Sequence, residues 1–109
     1  MKGKIVLIPF PYTDLTAAKL RPALVIFEGK HDLIVAFITS KMVNIIPELD
    51  VLISADNSEF SRTGLKATSV LKLAKVSTVR KDLAEGILGE ISGSLKDEAN
   101  QKMKRIFEI

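Results

Sequence analysis

Short apolar segments recur along the chain, and polar breaks separate them at short intervals. The segments are rich in Ile, Val, Leu and Phe, whereas the breaks contain Gly, Pro, Asn and Asp. This spacing is typical of an all-β barrel, since longer helical stretches would separate the strands of βαβ units. We therefore predict strands over residues 4–10, 22–27, 33–39, 49–54, 69–73, 76–79 and 87–91.

Residues 22–39 predict a β-hairpin at the centre of the sheet. A turn that contains Gly29 joins the two strands, and both strands are nearly continuously apolar. Strands of this kind are covered on both faces. A barrel interior, a helix or a partner subunit could bury these faces. Burial by a partner subunit would indicate a dimer.

Two further segments predict helices. Residues 56–61 contain helix-capping residues and end shortly before Gly64, where a positive φ angle is easily adopted. Near the end of the chain, Ser94 and Asp97 have the spacing of a capping box. An apolar face at helical spacing predicts an amphipathic C-terminal helix packed on the barrel, and it consists of Leu95, Ala99, Met103 and Ile106.

The composition excludes several kinds of site. A chain of 109 residues with 47% hydrophobic content buries one ordinary core, so we expect a single domain over residues 1–109. Cysteine is absent, which removes disulfides and thiolate chemistry and suits a reducing compartment. His31 is the only histidine, which disfavours a Ser-His-Asp relay and a zinc site. We predict that it is an exposed turn residue outside any site.

The ends and the charge of the chain favour a soluble protein with a polyanionic partner. The first apolar segment is interrupted by Pro9 and Pro11, and it is too short for a signal peptide or a membrane span. We therefore expect a cytoplasmic protein that does not enter a membrane. Sixteen basic residues against thirteen acidic ones give a net charge of +3, which favours nucleic acid only modestly.

Three motifs occur in a characteristic order. They are the opening segment GKIVLIPFP at residues 3–11, Arg21-Pro22 before an apolar strand, and Ile38-Thr39-Ser40 at the end of the next strand. Together they resemble the MazF/PemK family of toxins, and residues 12–16 and 63–65 are similar to it too. The resemblance spans essentially the whole chain.

The resemblance implies a fold and an activity. The fold is mainly β (α+β): an SH3-like, partly open β-barrel with a short helix and a C-terminal amphipathic helix. The implied activity is sequence-specific endoribonuclease cleavage of single-stranded RNA, with no metal and no cofactor, by attack of a 2′-hydroxyl. Such cleavage of mRNA inhibits translation and growth. The implied partners are a second copy of the chain and an acidic antitoxin that silences it.

Metal-free cleavage needs a general base, an acid, and groups that hold the charged transition state. The resemblance marks Arg21 as catalytic, and a guanidinium suits the task because its planar fork forms paired hydrogen bonds to phosphate. Thr39 corresponds to a family threonine whose hydroxyl would bind the scissile phosphate. Ser40 beside it would help to hold the RNA.

The general base is harder to identify from the sequence. Family members use an acidic residue of the first loop, or an Asp on a later strand that follows a basic residue by two positions. Here Lys72 is the basic residue but Ala74 occupies the acidic place, and Arg80 and Lys4 also stand where acids are common. Asp14 is then the remaining catalytic candidate. Its alternative role is a turn residue that binds the loop backbone.

Lysines near these segments would line a groove for the RNA backbone, and their contribution would fall as salt rises. Their alternative role is ordinary solvated surface. Tyr12 is the stacking candidate for a base, whereas Phe10 is expected in the core. The lysines are Lys19, Lys41, Lys66, Lys72 and Lys75.

Two other functions remain open at this point. A CcdB-like toxin would bind DNA gyrase through its C-terminal helix, but that helix here has no terminal Trp. A catalytically inactive homologue would bind RNA or a protein without cleavage, and Ala74 and Arg80 favour this reading.

Overall fold

The computed structural model describes residues 1–11 and 18–109. Six strands, two α-helices and a 3₁₀ turn make up this part of the chain. The strands are β1 (Lys4–Pro11), β2 (Ala18–Glu28), β3 (Asp32–Thr39), β4 (Asp50–Ile53), β5 (Ser69–Arg80) and β6 (Ile87–Glu90). The helices are α1 (Phe60–Thr63) and α2 (Gly93–Phe107), and the 3₁₀ turn is Lys81–Leu83.

All six strands join one antiparallel sheet in the order β4-β5-β3-β2-β1-β6. The sheet curls into a half-barrel, which confirms the predicted mainly β fold with a C-terminal helix. The hairpin of β2 and β3 lies at its centre, as the apolar sequence predicts. Edge strands β4 and β6 are only four residues long.

The hairpin is buried on both faces of the sheet. On one face, a cluster that includes Leu24 and Ala36 packs against Leu95 and Ala99 of α2. On the opposite face, a second cluster consists of Val6, Ile8, Ala23, Val25, Leu33 and Val35. The alternation of these residues along β2 and β3 follows the period of two expected of strands.

The prediction of two separate strands over residues 69–79 is wrong, because the single strand β5 covers these residues. Phe37 pairs with Lys72, but the residue before it in β3, Ala36, pairs with Val76. Three residues of β5 therefore bulge between these partners, and they are Leu73, Ala74 and Lys75. The polar break in the sequence marks a bend within a strand rather than a turn between strands.

Strand β2 also begins earlier than predicted. Its first residues pair with β1, with Lys19 opposite Phe10, so the strand extends four residues beyond the apolar run that indicated it. Periodicity alone does not detect this extension, because Lys19 and Leu20 are both exposed and show no alternation of buried and exposed residues.

Helix α1 covers the outer edge of β6 through backbone contact. Gly64 ends the helix in the left-handed region, at φ 72°, as predicted from its position. A Cβ on Gly64 would lie 2.1 Å from the Leu88 carbonyl oxygen, and one on Gly89 would lie 2.1 Å from the Arg62 carbonyl oxygen. Both glycines are therefore required by the close approach of the two backbones.

The predicted capping box at the start of α2 is wrong. The helix begins at Gly93 after Ser92, so Ser94 lies inside its first turn rather than at the cap. The Ser92 hydroxyl donates to Glu59 Oε2 at 2.6 Å and thereby links α2 to the segment before α1. The predicted apolar face is correct, since Leu95 and Ala99 are buried and Met103 and Ile106 pack against the core.

Candidate nucleic-acid interface

A wide groove of about 930 Å³ lies on the sheet face that carries the second apolar cluster. At one end it contains Thr39, the last residue of β3. At the other end it contains Arg80, which pairs with Asp32 at the start of β3. Within β5 the lining extends from Lys72 to Arg80, so the groove runs along this strand.

Arg21 and Thr39 both line the groove, and they lie on neighbouring strands. The β2–β3 register pairs Ala23 with Phe37, and two further steps along each strand lead to Arg21 and Thr39. On its other side, Arg21 lies opposite Ile8 of β1. Both side chains line the groove and are half-buried, so a rigid sheet fixes their relative position.

The hydroxyl of Thr39 is oriented by its own turn. The Lys41 amide donates to Thr39 Oγ1 at 3.1 Å. A hydroxyl that accepts one hydrogen bond retains its own hydrogen for donation. Thr39 therefore presents a donor at the end of β3, on the groove that Arg21 also lines.

Two aromatic rings lie against this end of the groove. Phe10 meets Phe37 edge to face, with ring centroids 5.0 Å apart and an interplanar angle of 87°. Both rings line the groove and are half-buried. Phe10, which was expected in the core, therefore packs on Phe37 and also forms part of the groove surface.

Cations line the groove on more than one side. Lys41 follows the end of β3, and Lys75 lies in the bulge of β5. Arg80, at the far end, bonds Asp82 through Nε and Nη2 at 3.1 and 3.3 Å. The sequence predicted both lysines as RNA-binding residues. Arg80 was noted there only as a basic residue at a position that is commonly acidic in the family that the chain resembles.

Lys72 lines the groove but occupies a different environment. Its ammonium donates to Asp50 Oδ2 at 2.8 Å and to the Asn44 carbonyl oxygen at 3.0 Å. The exposed fraction of the Lys72 side chain is 13%, and that of Asp50 is 4%. Sequence reasoning missed Asp50 and Asn44, since Asp50 and Lys72 are 22 positions apart in the chain and give no local signal of contact.

The remaining predicted site residues lie elsewhere. Lys19 is exposed near the start of β2, Ser40 is exposed after Thr39, and Lys66 is exposed between α1 and β5; none of these three lines the groove. Tyr12 and Asp14 lie outside the residues that the structure describes. His31 is exposed in the turn before β3, as predicted.

The described lining of the groove is cationic and apolar. Within residues 1–11 and 18–109, it contains no Asp, Glu or His. Such a lining binds and polarises a phosphate, but a proton acceptor has to come from another part of the chain. Across the same described residues, no His, Cys, Asp and Glu side chains group as a metal site, and no helix is long and apolar enough to cross a membrane.

Solved structures share this architecture. A toxin of Mycobacterium tuberculosis, MazF-mt6, has a TM-score of 0.72 at 19% identity, with 97% of each chain covered. An endoribonuclease in complex with its cognate antitoxin, from a mycobacterial species, has a TM-score of 0.73 at 16% identity and covers 96% of this chain and 91% of its own. MazF in the MazE-MazF structure of Deinococcus radiodurans has a TM-score of 0.74 at 16% identity, covering 99% and 95%. These identities show a shared fold.

The sequence itself identifies the family. No curated protein sequence matches the chain significantly. The family described as PemK-like, MazF-like toxin of type II toxin-antitoxin system matches residues 1–107. With nearly the whole chain matched, the protein belongs to the PemK-like, MazF-like toxin family of type II toxin–antitoxin systems.

Proposed function

We propose that this protein is a toxin endoribonuclease that cleaves single-stranded RNA in the groove. The observation that carries the proposal is that Arg21 and Thr39, on neighbouring strands, line one groove together with further cations. Family membership supports it, as does the shared fold with a structure named as an endoribonuclease. Cleavage of mRNA in the cytoplasm would inhibit translation and growth.

The proposed reaction is transfer of the phosphoryl group to the neighbouring 2′-oxygen. The 2′-hydroxyl loses its proton to a base and attacks phosphorus, while the bond to the 5′-oxygen breaks and that oxygen gains a proton. The products are a 2′,3′-cyclic phosphate and a 5′-hydroxyl. Arg21 donates two hydrogen bonds to the non-bridging oxygens, whose negative charge grows in the transition state, and Thr39 donates a third.

Asp14 is the proposed base. Its chain position is seven residues before Arg21, and the described groove lining contains no carboxylate or imidazole. A carboxylate accepts the 2′-proton without a metal or cofactor, and Asp14→Asn would remove that acceptor while retaining side-chain size.

The remaining groups would bind the RNA rather than react. Lys41 and Lys75 provide point charges for flanking phosphates, and Tyr12 offers a stacking surface for a base. Lys19, Ser40 and Lys66 lie beyond the groove lining and would contact only RNA that extends past it.

The proposed protein partner is an acidic antitoxin segment. The groove combines cations with an apolar surface that includes Ile8, Phe37 and Val76, and a segment that alternates acidic and apolar residues matches both features. The structural neighbours include complexes with an antitoxin. We expect such a segment to compete with RNA for the groove.

We also propose a homodimer, in which a two-fold axis would place two grooves on one RNA. Light scattering at micromolar concentration should give twice the monomer mass. A monomer mass under these conditions would contradict this part of the proposal.

The proposed function is tested by incubating the purified protein with a long single-stranded RNA and with the same RNA annealed to its complement. We expect discrete cuts in the single strand and protection of the duplex, because sequence-specific recognition of RNA needs unstacked, unpaired bases that a duplex does not present. Intact RNA in both samples would contradict the proposal.

The second candidate is an RNA-binding protein without catalytic activity. It is favoured by the absence of a carboxylate or imidazole from the described lining, together with Ala74 and Arg80. This candidate predicts that the single strand is retained on a filter by the protein and remains uncut.

A further inference from the structure

The segment between β3 and β4, residues 40–49, forms one wall of the groove. Lys41, Val43 and Asn44 line the groove from this segment. Its apolar side chains are unusually exposed, including Val43 at 61% and Ile46 at 46%. Burial of these side chains therefore contributes little to holding the wall in place.

A buried carboxylate bonds to the backbone of the wall at Ile46. Asp50 Oδ2 accepts a hydrogen bond from the Ile46 amide at 2.8 Å, and the Asp50 amide donates to the Ile46 carbonyl oxygen at 2.9 Å. Lys102 of α2 donates to the Asp50 carbonyl oxygen at 2.7 Å. Asp50 is thus fixed on its own strand and clamps the wall at Ile46.

Lys72 fixes a second point of the wall. Its ammonium bridges Asp50 Oδ2 and the Asn44 carbonyl oxygen. Asn44 has a φ angle of 54°, in the left-handed region that Asn adopts more readily than most residues with a side chain. Lys72 also pairs with Phe37, whose ring lines the groove. One side chain therefore connects the sheet beneath the groove to its wall.

We propose that Lys72 is a positioning residue that acts with Asp50 to hold Asn44 and Ile46 in the RNA-binding conformation. The ammonium of Lys72 makes its contacts with Asp50 and Asn44, not with a phosphate of the RNA. This inference rests on the proposed function for its RNA readout, but the positioning of the wall is measurable without RNA.

The variant Asp50→Asn separates positioning from simple electrostatics. If the charges near the groove acted only on the RNA backbone, removal of a carboxylate would leave RNA binding unchanged or strengthen it. If Asp50 positions the wall, its removal weakens RNA binding, because the buried ammonium loses its counter-charge and the clamp on Ile46 loosens. The two accounts predict opposite signs.

The first measurement is hydrogen exchange of the Ile46 amide in the free protein. We expect exchange to accelerate by at least about tenfold in Lys72→Met and in Asp50→Asn, as loss of a charge-assisted hydrogen bond implies. The control Ile53→Val shortens a buried side chain of β4 and leaves the clamp intact, so Ile46 exchange should stay near that of the wild type. Unchanged exchange in both clamp variants would overturn the proposal.

The second measurement is the dissociation constant of a short single-stranded RNA across a salt series. Lys75→Met removes a groove cation and should reduce the slope of log affinity against log salt by about 0.7, the value for one phosphate contact on a single strand. Lys72→Met should weaken binding by about tenfold, equal to about 1.4 kcal/mol, with an unchanged slope. A slope reduced as in Lys75→Met, or tighter binding by Asp50→Asn, would overturn the proposal.

A double variant, Lys72→Met with Asp50→Asn, covers the case in which a single variant fails to fold, because it leaves no unpaired buried charge. It should show the same fast Ile46 exchange, and wild-type exchange in this variant would overturn the proposal. If the wild-type protein binds no RNA, the proposed function fails, while the exchange measurement still decides whether Lys72 and Asp50 position the wall.

Discussion

At the scale of single residues, the account depends on two side chains that neighbouring strands bring together. Arg21 and Thr39 were predicted from the sequence because both belong to recognisable motifs at strand ends. Lys72 was also selected, but its role could not be predicted, since Asp50 and Asn44 reach it only through the folded sheet.

The hydroxyl of Thr39 should matter more than its shape. Thr39→Val keeps the branched side chain and removes the donor, so we expect the cleavage rate at saturating RNA to fall by about 10- to 100-fold, as for loss of one hydrogen bond to a developing charge. Thr78→Val is the matched control, because Thr78 also lines the groove but lies toward its other end. Equal losses in both variants would argue against a specific role for Thr39.

A surface carboxylate should make stability depend on pH. The amino group of Met1 and the ammonium of Lys81 bind Glu28 at 2.5 and 2.9 Å, and they lower its pKa from 4.5 to about 2. A lowered pKa stabilises the folded state above pH 4.5, and this contribution disappears as the pH falls from 4.5 toward 2.

The measurement for this prediction is the melting temperature of the wild type and of Glu28→Gln across that range. We expect the wild type to be more stable above pH 4.5, and the difference between the two proteins to shrink as the solution becomes more acidic. A difference that stays constant with pH would show that Glu28 stabilises by packing instead.

At the scale of elements, two nearly continuous apolar runs predicted the central hairpin and apolar residues at helical spacing predicted helix α2, but the sequence pattern did not predict the bulge in β5. A bulge breaks the period of two, so the same pattern fits two short strands or one bent strand. Pairing of both halves of β5 with β3 decides between them. This bend also brings Lys75 to the groove, which single-strand reasoning cannot show.

The contact between α1 and β6 predicts that alanine substitutions at two nearby glycines change the free energy of unfolding by very different amounts. Gly89→Ala would place a methyl group 2.1 Å from the Arg62 carbonyl oxygen, so we expect destabilisation of about 3 kcal/mol or more. Gly86→Ala meets nothing within 4 Å, and its effect should stay within about 1 kcal/mol. Denaturant unfolding of both variants measures the difference, and similar free energies of unfolding would contradict the close backbone approach.

At the scale of the whole molecule, the groove shows why the site was only partly predictable. Its lining comes from β1, β2, β3, β5, the segment after β3 and the 3₁₀ turn, so residues distant in sequence share one surface. The motifs located Arg21 and Thr39, whereas the wall at Val43 and Asn44 has no sequence signal. Net charge of +3 gave little guidance, because the cations are informative only once they gather in the groove.

The most direct test of the central claim compares RNA cleavage by the wild type, Arg21→Ala and Arg62→Ala in EDTA, with the ends of the products mapped. Arg62 is an exposed arginine outside the groove lining and serves as the control. We predict discrete cuts by the wild type and by Arg62→Ala, with 2′,3′-cyclic or 3′-phosphate ends and 5′-hydroxyl ends. Arg21→Ala should be slower by at least about 100-fold. Undiminished cleavage by Arg21→Ala, or no cleavage by the wild type, would contradict the account.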